Sequence, residues 1–288
     1  MLEKTTYANY RKLCEAMEIP FERGNSKIAR IRSLEGLCKY HREGRAYVIE
    51  EVYPQPKVII QAPEEISPHG LTHKYNQCTV PLFFSLFSGN EQGEQNQIIV
   101  SSPYLYNYLG FCNSNFGSHK SEIHFLLKNP ELNQIFHPTR QYLFREMWNS
   151  TSDTIGKYIK DGILKKEKAI RIVKNGTLSE PTIDESKLIE QFHKSTCKEL
   201  EVSDIWEIKQ NYIKSLKYDQ AKQIFCSGKG WDGYYNRILY TLDPDRVLIH
   251  PFSDEKRQQM QKHVNDGFYE RFLNHGEPKE ILDALIKR

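Results

Sequence analysis

The chain has 288 residues, of which 39% are hydrophobic, 27% charged and 12% aromatic. This composition is that of a globular protein with room for two or three domains, and it excludes an intrinsically disordered chain. No run approaches the roughly 20 apolar residues of a membrane span, and the start of the chain, with Glu3 and no apolar stretch, does not resemble a signal peptide. We therefore expect a cytoplasmic protein with no membrane contact.

The net charge of +3 is unevenly distributed along the chain. Residues 1–60 hold 11 Lys and Arg against 8 Asp and Glu, which accounts for the whole excess. Two stretches, Arg23 to Arg45 and Lys157 to Lys174, each carry seven basic residues against two acidic ones. They predict the surfaces at which an acidic partner binds.

The cysteines are widely spaced, and none belongs to a CxxC pair. They are Cys14, Cys38, Cys78, Cys112, Cys197 and Cys226. Without a secretion signal, this scatter indicates reduced and mostly buried thiols rather than disulfides, and it argues against a structural zinc site. We expect neither a metal nor a cofactor.

Residues 1–55 are predicted to form a compact unit of two helices followed by strands. Thr5 or Thr6 can cap a first helix over residues 7–17, and Ser26 can cap a second one that Gly44 would end. The apolar positions of the second helix predict one buried face, made of Ile28, Ile31, Leu34, Leu37 and Cys38. A β run at residues 46–53 follows, closed by a proline. This order is that of a winged helix-turn-helix.

In a helix-turn-helix, the second helix lies in the major groove of DNA, where its first turns meet base edges and phosphates. Lys27 suits a phosphate, Arg30 has the fork that reads guanine O6 and N7, and Arg45 would lie at the tip of the wing. The predicted DNA-binding residues are Asn25, Ser26, Lys27, Arg30, Arg32, Lys39, Arg42 and Arg45. The alternative is an ordinary solvated basic helix packed on a hairpin.

The runs Tyr10–Ile19, Gly24–Lys27, Leu34–Tyr40 and Arg45–Tyr53 resemble an N-terminal module found in many proteins of Gram-positive phages and plasmids. That module is similar to a winged helix-turn-helix, and most of its carriers have no known function. The resemblance implies an origin in a mobile element. Such elements attach the module to replication and control proteins, and to inhibitors of bacterial defence systems that repress their own promoters.

Beyond this unit the predicted elements are less regular. Pro54 to about Leu71 is predicted as a linker or extended connection, followed by a region whose strands are Val80–Phe87 and Gln97–Ser102. Helices are expected from residue 126 onward, including 184–225 and the charged tail 254–288. We therefore expect an α+β, helix-rich protein with a winged helix-turn-helix domain at 1–55, a linker and mixed α/β region at 56–125, and a mainly helical region at 126–288.

Residues 143–163 can be arranged as a second helix-turn-helix with its turn at 149–153. Lys157, Lys160, Lys165 and Lys166 would then form a second basic patch, and lysine suits phosphate contact more than base reading. A solvated helix and strand explain the same residues equally well.

Aromatic residues are favoured at the centres of protein interfaces, so exposed clusters of them predict a partner. If residues 104–108 form a strand, Tyr104, Tyr106 and Tyr108 share one face. The glycine-rich loop at 226–233 adds Trp231, which we expect to pack beneath the loop, and Tyr234 follows it. A plain aromatic core is the competing interpretation.

One motif raises the question of an enzyme. Glu207-Ile208-Lys209 has the Glu-x-Lys form of a metal-dependent nuclease, but it lies inside a helical pattern, whereas the nuclease site needs an aspartate on a neighbouring strand. The glycine-rich loop lacks the Walker spacing of a phosphate loop. We expect no catalytic residues.

These patterns favour a phage or plasmid protein that binds double-stranded DNA sequence-specifically and acts in transcriptional control. If the protein is a homodimer, it would read a palindromic site. The alternative is an anti-CRISPR-like inhibitor whose C-terminal part binds a host defence protein complex while the N-terminal module represses its own promoter. The length of the chain beyond residue 60 favours that alternative, because a repressor needs little more than the module. A metal-dependent nuclease is a distant third.

Overall fold

Three strands of the N-terminal region meet in one small sheet. The computed structural model describes residues 2–66, 75–88, 96–116, 129–210 and 212–287. Its first elements are β1 (Thr6–Tyr7), α1 (Tyr10–Ala16), α2 (Gly24–Leu34), β2 (Cys38–Glu43) and β3 (Ala46–Val52). The strands are antiparallel in the order β1-β3-β2, and both helices pack on them around Leu13, Leu34 and Tyr47. We call residues 2–53 the N-terminal module.

The predicted cap of the first helix is wrong. Asn9 caps α1 by accepting a hydrogen bond from the Lys12 amide at 3.1 Å. Thr5 and Thr6 are unavailable for this role, because Thr6 belongs to β1 and the Thr5 carbonyl accepts from the Ile49 amide of β3. The strand therefore takes the residues that the pattern assigned to a helix start.

The second helix is shorter than predicted. It ends at Leu34 rather than at Gly44, and residues 38–43 pair with β3 instead of extending α2. Gly44, with φ of 60°, and Arg45 form the two-residue turn of the hairpin, where a glycine at the first position accommodates the positive φ. The hairpin is favoured over the longer helix because Gly36 weakens a helix at this point.

The remaining elements form what we call the body. They are β4 (Val58–Ile60), α3 (Tyr75–Ser88), β5 (Gln97–Val100), α4 (Ser102–Tyr108), α5 (Pro130–Lys160), β6 (Leu164–Lys174), β7 (Thr177–Ser179), α6 (Ile183–Glu199), α7 (Ile205–Gln210), α8 (Tyr212–Gly228), β8 (Gly233–Leu242), β9 (Val247–Ile249), α9 (Asp254–Asn274) and α10 (Lys279–Leu285). The described residues are therefore mixed in helix and strand, as expected for an α+β protein.

A parallel strand pair anchors the segment that directly follows the module to the rest of the body. β4 lies within the segment predicted as a linker or extended connection, and residues 58–60 are extended and paired with β9 rather than a free linker. Residues 67–71 of that segment lie outside the described residues. The Lys57 amide donates to the Gly36 carbonyl at 2.7 Å, and a Cβ on Gly36 would lie only 2.6 Å from the Lys57 carbonyl oxygen. Glycine is needed here because the two backbones approach so closely.

The apolar run at residues 80–87, expected as a strand, lies in helix α3. Phe83 meets Tyr240 of β8 edge-on at 5.1 Å, and Phe84 meets Tyr158 of α5 at 4.8 Å, so the helix is covered on several sides. An apolar run of this length does not distinguish a buried helix from a buried strand. The neighbouring prediction, a strand from Gln97, is confirmed by β5, which ends at Val100.

Helix α5 is continuous, so the second helix-turn-helix is not formed. The polar run 149–153, predicted as a turn, lies within it. Thr154 is buried, and its hydroxyl donates to the Ser150 carbonyl at 2.8 Å and lies 3.0 Å from the Thr79 hydroxyl on α3. A polar side chain of a type that can cap a helix thus finds its hydrogen-bond partners within α5 and on the neighbouring helix α3.

The largest sheet has the strand order β5-β8-β6-β7 and is antiparallel throughout. Pairing of β5 with β8 brings the regions predicted as 56–125 and 126–288 into one sheet, and one hydrophobic core draws on both. A smaller cluster around Ile172, Ile189 and Trp231 lies between the outer half of this sheet and helices α6 and α8.

The six cysteines all lie in the described residues as free thiols, and all except Cys197 are buried, as the sequence predicted. Burial raises the pKa of Cys38 and Cys78 to about 11, so both stay protonated at neutral pH. No helix in the described ranges is long and apolar enough to cross a membrane.

The predicted charged tail is helical, and its apolar side belongs to the main core. Phe268 of α9 is fully buried against Phe111 at 5.1 Å and Phe272 at 4.7 Å. We expect Phe268→Ala to lower the free energy of unfolding by about 3–5 kcal/mol, measured by urea denaturation, because it leaves a cavity. Leu273→Ala, at a partly exposed position of the same helix outside the core cluster, should cost less, about 1 kcal/mol. Equal losses for the two variants would contradict this packing.

Candidate nucleic-acid interface

Helix α2 exposes one face and packs the other onto the module. The exposed face, spaced i, i+3, i+4 and i+7, consists of Asn25, Ile28, Ala29 and Arg32. Ile28 is 50% exposed, so the prediction that it points inward is wrong, whereas Ile31 and Leu34 do contact the module core. A helix turns once every 3.6 residues, so positions three apart drift around it and Ile28 leaves the buried stripe.

Two predicted cations lie toward the packed side of α2. Lys27 Nζ is 5.1 Å from the centre of the Tyr10 ring, and Arg30 Nε is 3.6 Å from Glu22 Oε2. Both residues are partly buried. The guanine-reading role predicted for Arg30 is therefore not available without breaking the contact to Glu22.

The start of α2 carries two cations that were not among the predicted DNA-binding residues. Arg23 precedes the helix without making a side-chain cap, and the first turn holds no acidic residue. The guanidinium groups of Arg11 and Arg23 lie 5.1 and 5.9 Å from the centre of the exposed Phe21 ring. Arg11 belongs to α1, so only the fold brings it to this end of α2. Ser26, exposed in the first turn of α2, follows closely after Arg23 in sequence.

The hairpin of β2 and β3 forms a wing beside α2. Arg45 is exposed at its turn, as predicted. Arg42 lies over the Tyr47 ring at 5.3 Å, and Lys39 Nζ is 3.0 Å from Glu50 Oε2. Lys39 is thus neutralised by a neighbouring carboxylate, whereas Arg42 and Arg45 form no ion pair with any carboxylate in the part of the chain that the structure describes.

His41 adds a titratable group to the wing, and sequence reasoning missed it. Its Nε2 lies 3.2 Å from Glu43 Oε1 and its Nδ1 2.8 Å from Glu50 Oε1. These hydrogen bonds, with Glu43 first, raise the pKa of His41, and hydrogen bonds from Lys39 and His41 lower the pKa of Glu50. The wing therefore gains positive charge as the pH falls.

Arg32 is the exposed cation at the C-terminal end of the α2 face. It forms an ion pair with Glu64, whose backbone carbonyl accepts from Lys256 Nζ at 3.1 Å. Both members of the Arg32–Glu64 pair are exposed, and such pairs are worth little in water. A phosphate can therefore compete with Glu64 for this arginine.

The second predicted basic patch is not one surface. Lys157 and Lys160 lie in the last turn of α5, whereas Lys165 and Lys166 are adjacent on β6 and face opposite sides of the sheet. Lys166 Nζ lies 4.0 Å over the Trp148 ring, and burial lowers its pKa. This lysine is directed at the protein rather than at a partner.

Most of the predicted aromatic interface is core. Tyr104, Tyr106 and Tyr108 lie on α4 rather than on a strand, so they do not share a face as predicted. Tyr106 is buried, while Tyr104 is exposed and stacks with Tyr108 at 6.2 Å. Trp231 packs beneath its turn as predicted, and both it and Tyr234 are buried in the smaller cluster.

The Glu-x-Lys motif lies in helix α7, as its pattern predicted. Glu207 accepts hydrogen bonds from the amide and the hydroxyl of Ser203 at 2.8 and 2.9 Å, which lower its pKa. Among the described residues, no group of three or more His, Cys, Asp and Glu side chains is placed to hold a metal ion. The carboxylate holds the turn before the helix.

Comparison of the chain with protein-family models, curated proteins and solved structures finds no match. The candidate interface is therefore defined by its own residues. We call it the α2–wing surface, and it consists of Asn25, Ile28, Ala29 and Arg32 with the surrounding Arg11, Arg23, Arg42 and Arg45.

The raised pKa of His41 gives a test of the wing geometry. In an NMR titration, we expect a pKa above the ordinary 6.5, because both contacting carboxylates favour the charged ring. Glu43→Gln and Glu50→Gln should each lower it, whereas Glu51→Gln should not. The His41 contribution to stability is fully present below the unfolded pKa and is lost as the pH rises through the raised one. A pKa unmoved by either substitution would contradict the contacts.

Proposed function

We propose that the protein binds double-stranded DNA through the α2–wing surface, with residues 2–53 acting as a winged helix-turn-helix. The observation that supports this most directly is the element order strand, helix, helix, hairpin, with arginines around an exposed face of α2 that carries Asn25 and Arg32. In helix-turn-helix proteins, the second helix is the one that enters the major groove.

Affinity would come from the arginines around α2. Arg11, Arg23 and Arg42 lie over aromatic rings, which hold the guanidinium plane while its N–H edge remains able to donate to phosphate oxygens. Arg45 extends from the wing turn toward solvent. Base discrimination would come from the shorter side chains at the centre of the α2 face.

Transcriptional control in a phage or plasmid is the proposed biological role. It is supported by the resemblance of residues 10–53 to the mobile-element module described above. A homodimer would place two such surfaces on a palindromic site.

An inhibitor of a host defence complex is the second candidate, and one surface of the body favours it. The side of the large sheet away from the main core exposes Ile99, Leu178 and Tyr235, which the strand register places on one face. Exposed apolar patches commonly mark protein interfaces. Capture of a host complex by the wild-type chain, and its loss with Tyr235→Ser but not with Arg45→Gln, would favour this role.

The DNA-binding proposal predicts a strong dependence on salt. The full-length chain should enrich specific sequences from a random duplex library, and its affinity should fall as salt rises, because each arginine–phosphate contact releases counterions. Arg42→Gln and Arg45→Gln should each weaken binding and reduce the slope of log affinity against log salt by about 1. The control Lys187→Gln removes an exposed cation on α6 and should change neither. No enrichment and no salt dependence would overturn the proposal.

A further inference from the structure

The exposed face of α2 has an apolar centre. Ile28 is half exposed, Ala29 lies beside it, and Asn25 and Arg32 flank the pair. The helix is anchored in the module core by Leu34, on another side of α2, and Ile28 is not part of that core. Packing therefore does not require an isoleucine at position 28. Burial of methyl groups is favourable, so contact between Ile28 and an apolar group of the partner would strengthen binding.

The arginines of α2 are poorly placed to read guanine. Guanine is read by a cation that donates to both O6 and N7. Arg30 lies toward Glu22, away from the exposed face, and Arg32 is engaged by Glu64 at the end of the helix. Both ion pairs are at least partly exposed and therefore weak, so it is the position of the two arginines, away from the centre of the exposed face, that favours Asn25 and Ile28 as the central base contacts.

The major groove presents one apolar group, the C5-methyl of thymine, and asparagine pairs with the N6 and N7 atoms of adenine. Asn25 and Ile28 are one turn apart on the same face of α2. Their chemistry therefore matches A·T pairs at adjacent positions of a site.

We propose that Ile28 is a specificity-determining residue that contacts a thymine C5-methyl, so that α2 selects A·T pairs at the centre of its contact. The inference rests on the proposed DNA binding and deepens it by naming the base chemistry that the surface recognises. Arg30 then positions the turn before α2 through Glu22 and does not read a base.

Replacement of thymine by deoxyuracil tests this inference, because it removes only the C5-methyl group. The duplex enriched by the full-length chain is resynthesised with deoxyuracil at each thymine in turn, and affinities are measured at one salt concentration. We expect one or two positions to weaken wild-type binding about four-fold, the effect of one buried methyl. Ile28→Ala should weaken binding to the thymine duplex and lose the sensitivity at those positions. Ile183→Ala, at an exposed isoleucine on α6, is the matched control and should behave as the wild type.

Equal affinity of the wild type for every deoxyuracil duplex would overturn the inference while leaving DNA binding intact. An Ile28→Ala variant with the wild-type sensitivity would overturn it as well. We also expect Arg30→Ala to keep the base preference, and a relaxed preference at a G·C pair would contradict this. If the wild type enriches no duplex at any salt concentration, the proposed DNA binding is wrong and the inference fails with it.

Discussion

The parallel pairing of β4 with β9 determines where the N-terminal module lies on the body, and the exposure of the α2–wing surface depends on it. The chain leaves β3 and enters β4 within a few residues, and the Lys57 amide reaches back to Gly36 just after α2. His250, which follows β9, lies 3.1 Å from Glu35. All these contacts lie at the C-terminal end of α2. They leave the first turns of the helix and the wing turn exposed.

This attachment has a consequence for recognition. A module on a flexible linker loses orientational freedom when it binds, whereas a module held by backbone hydrogen bonds has already lost part of it. Under the proposed DNA binding, the duplex would approach beside the body, where Glu64 engages Arg32. The C-terminal end of α2 would then be shared between the proposed partner and the protein itself. The N-terminal end, with Arg11 and Arg23, has no such competitor in its described contacts.

Local signals in the sequence were sufficient for some elements and insufficient for others. Arg45 lies at the wing tip as expected, but Gly44 was assigned to a helix end, because the positive φ that favours glycine occurs both after a helix and in a hairpin turn. The pairing of Val58–Ile60 with β9 could not be predicted, since its partner lies almost at the other end of the chain. Similarly, the run 149–153 has the composition of a turn, and its place inside a helix depends on packing against α3, where the neighbouring Thr154 meets Thr79.

For the candidate site, too, some features could be predicted from the sequence and others could not. The charge count located the basic stretch, because residue type alone decides it. Side-chain direction was not predictable: Ile28 turned out exposed, and Arg30 lies toward Glu22. Arg11 and His41 were missed because their roles depend on an aromatic ring and on carboxylates that folding brings near them.

Amide hydrogen exchange of the full-length chain, with and without its enriched duplex, tests the central claim most directly. DNA should slow exchange in residues 24–33 and 38–46, where α2 and the wing meet the groove, and should leave β6 and β8 unchanged. Protection confined to β6 and β8, with α2 and the wing unaffected, would contradict the account by placing the binding surface on the body.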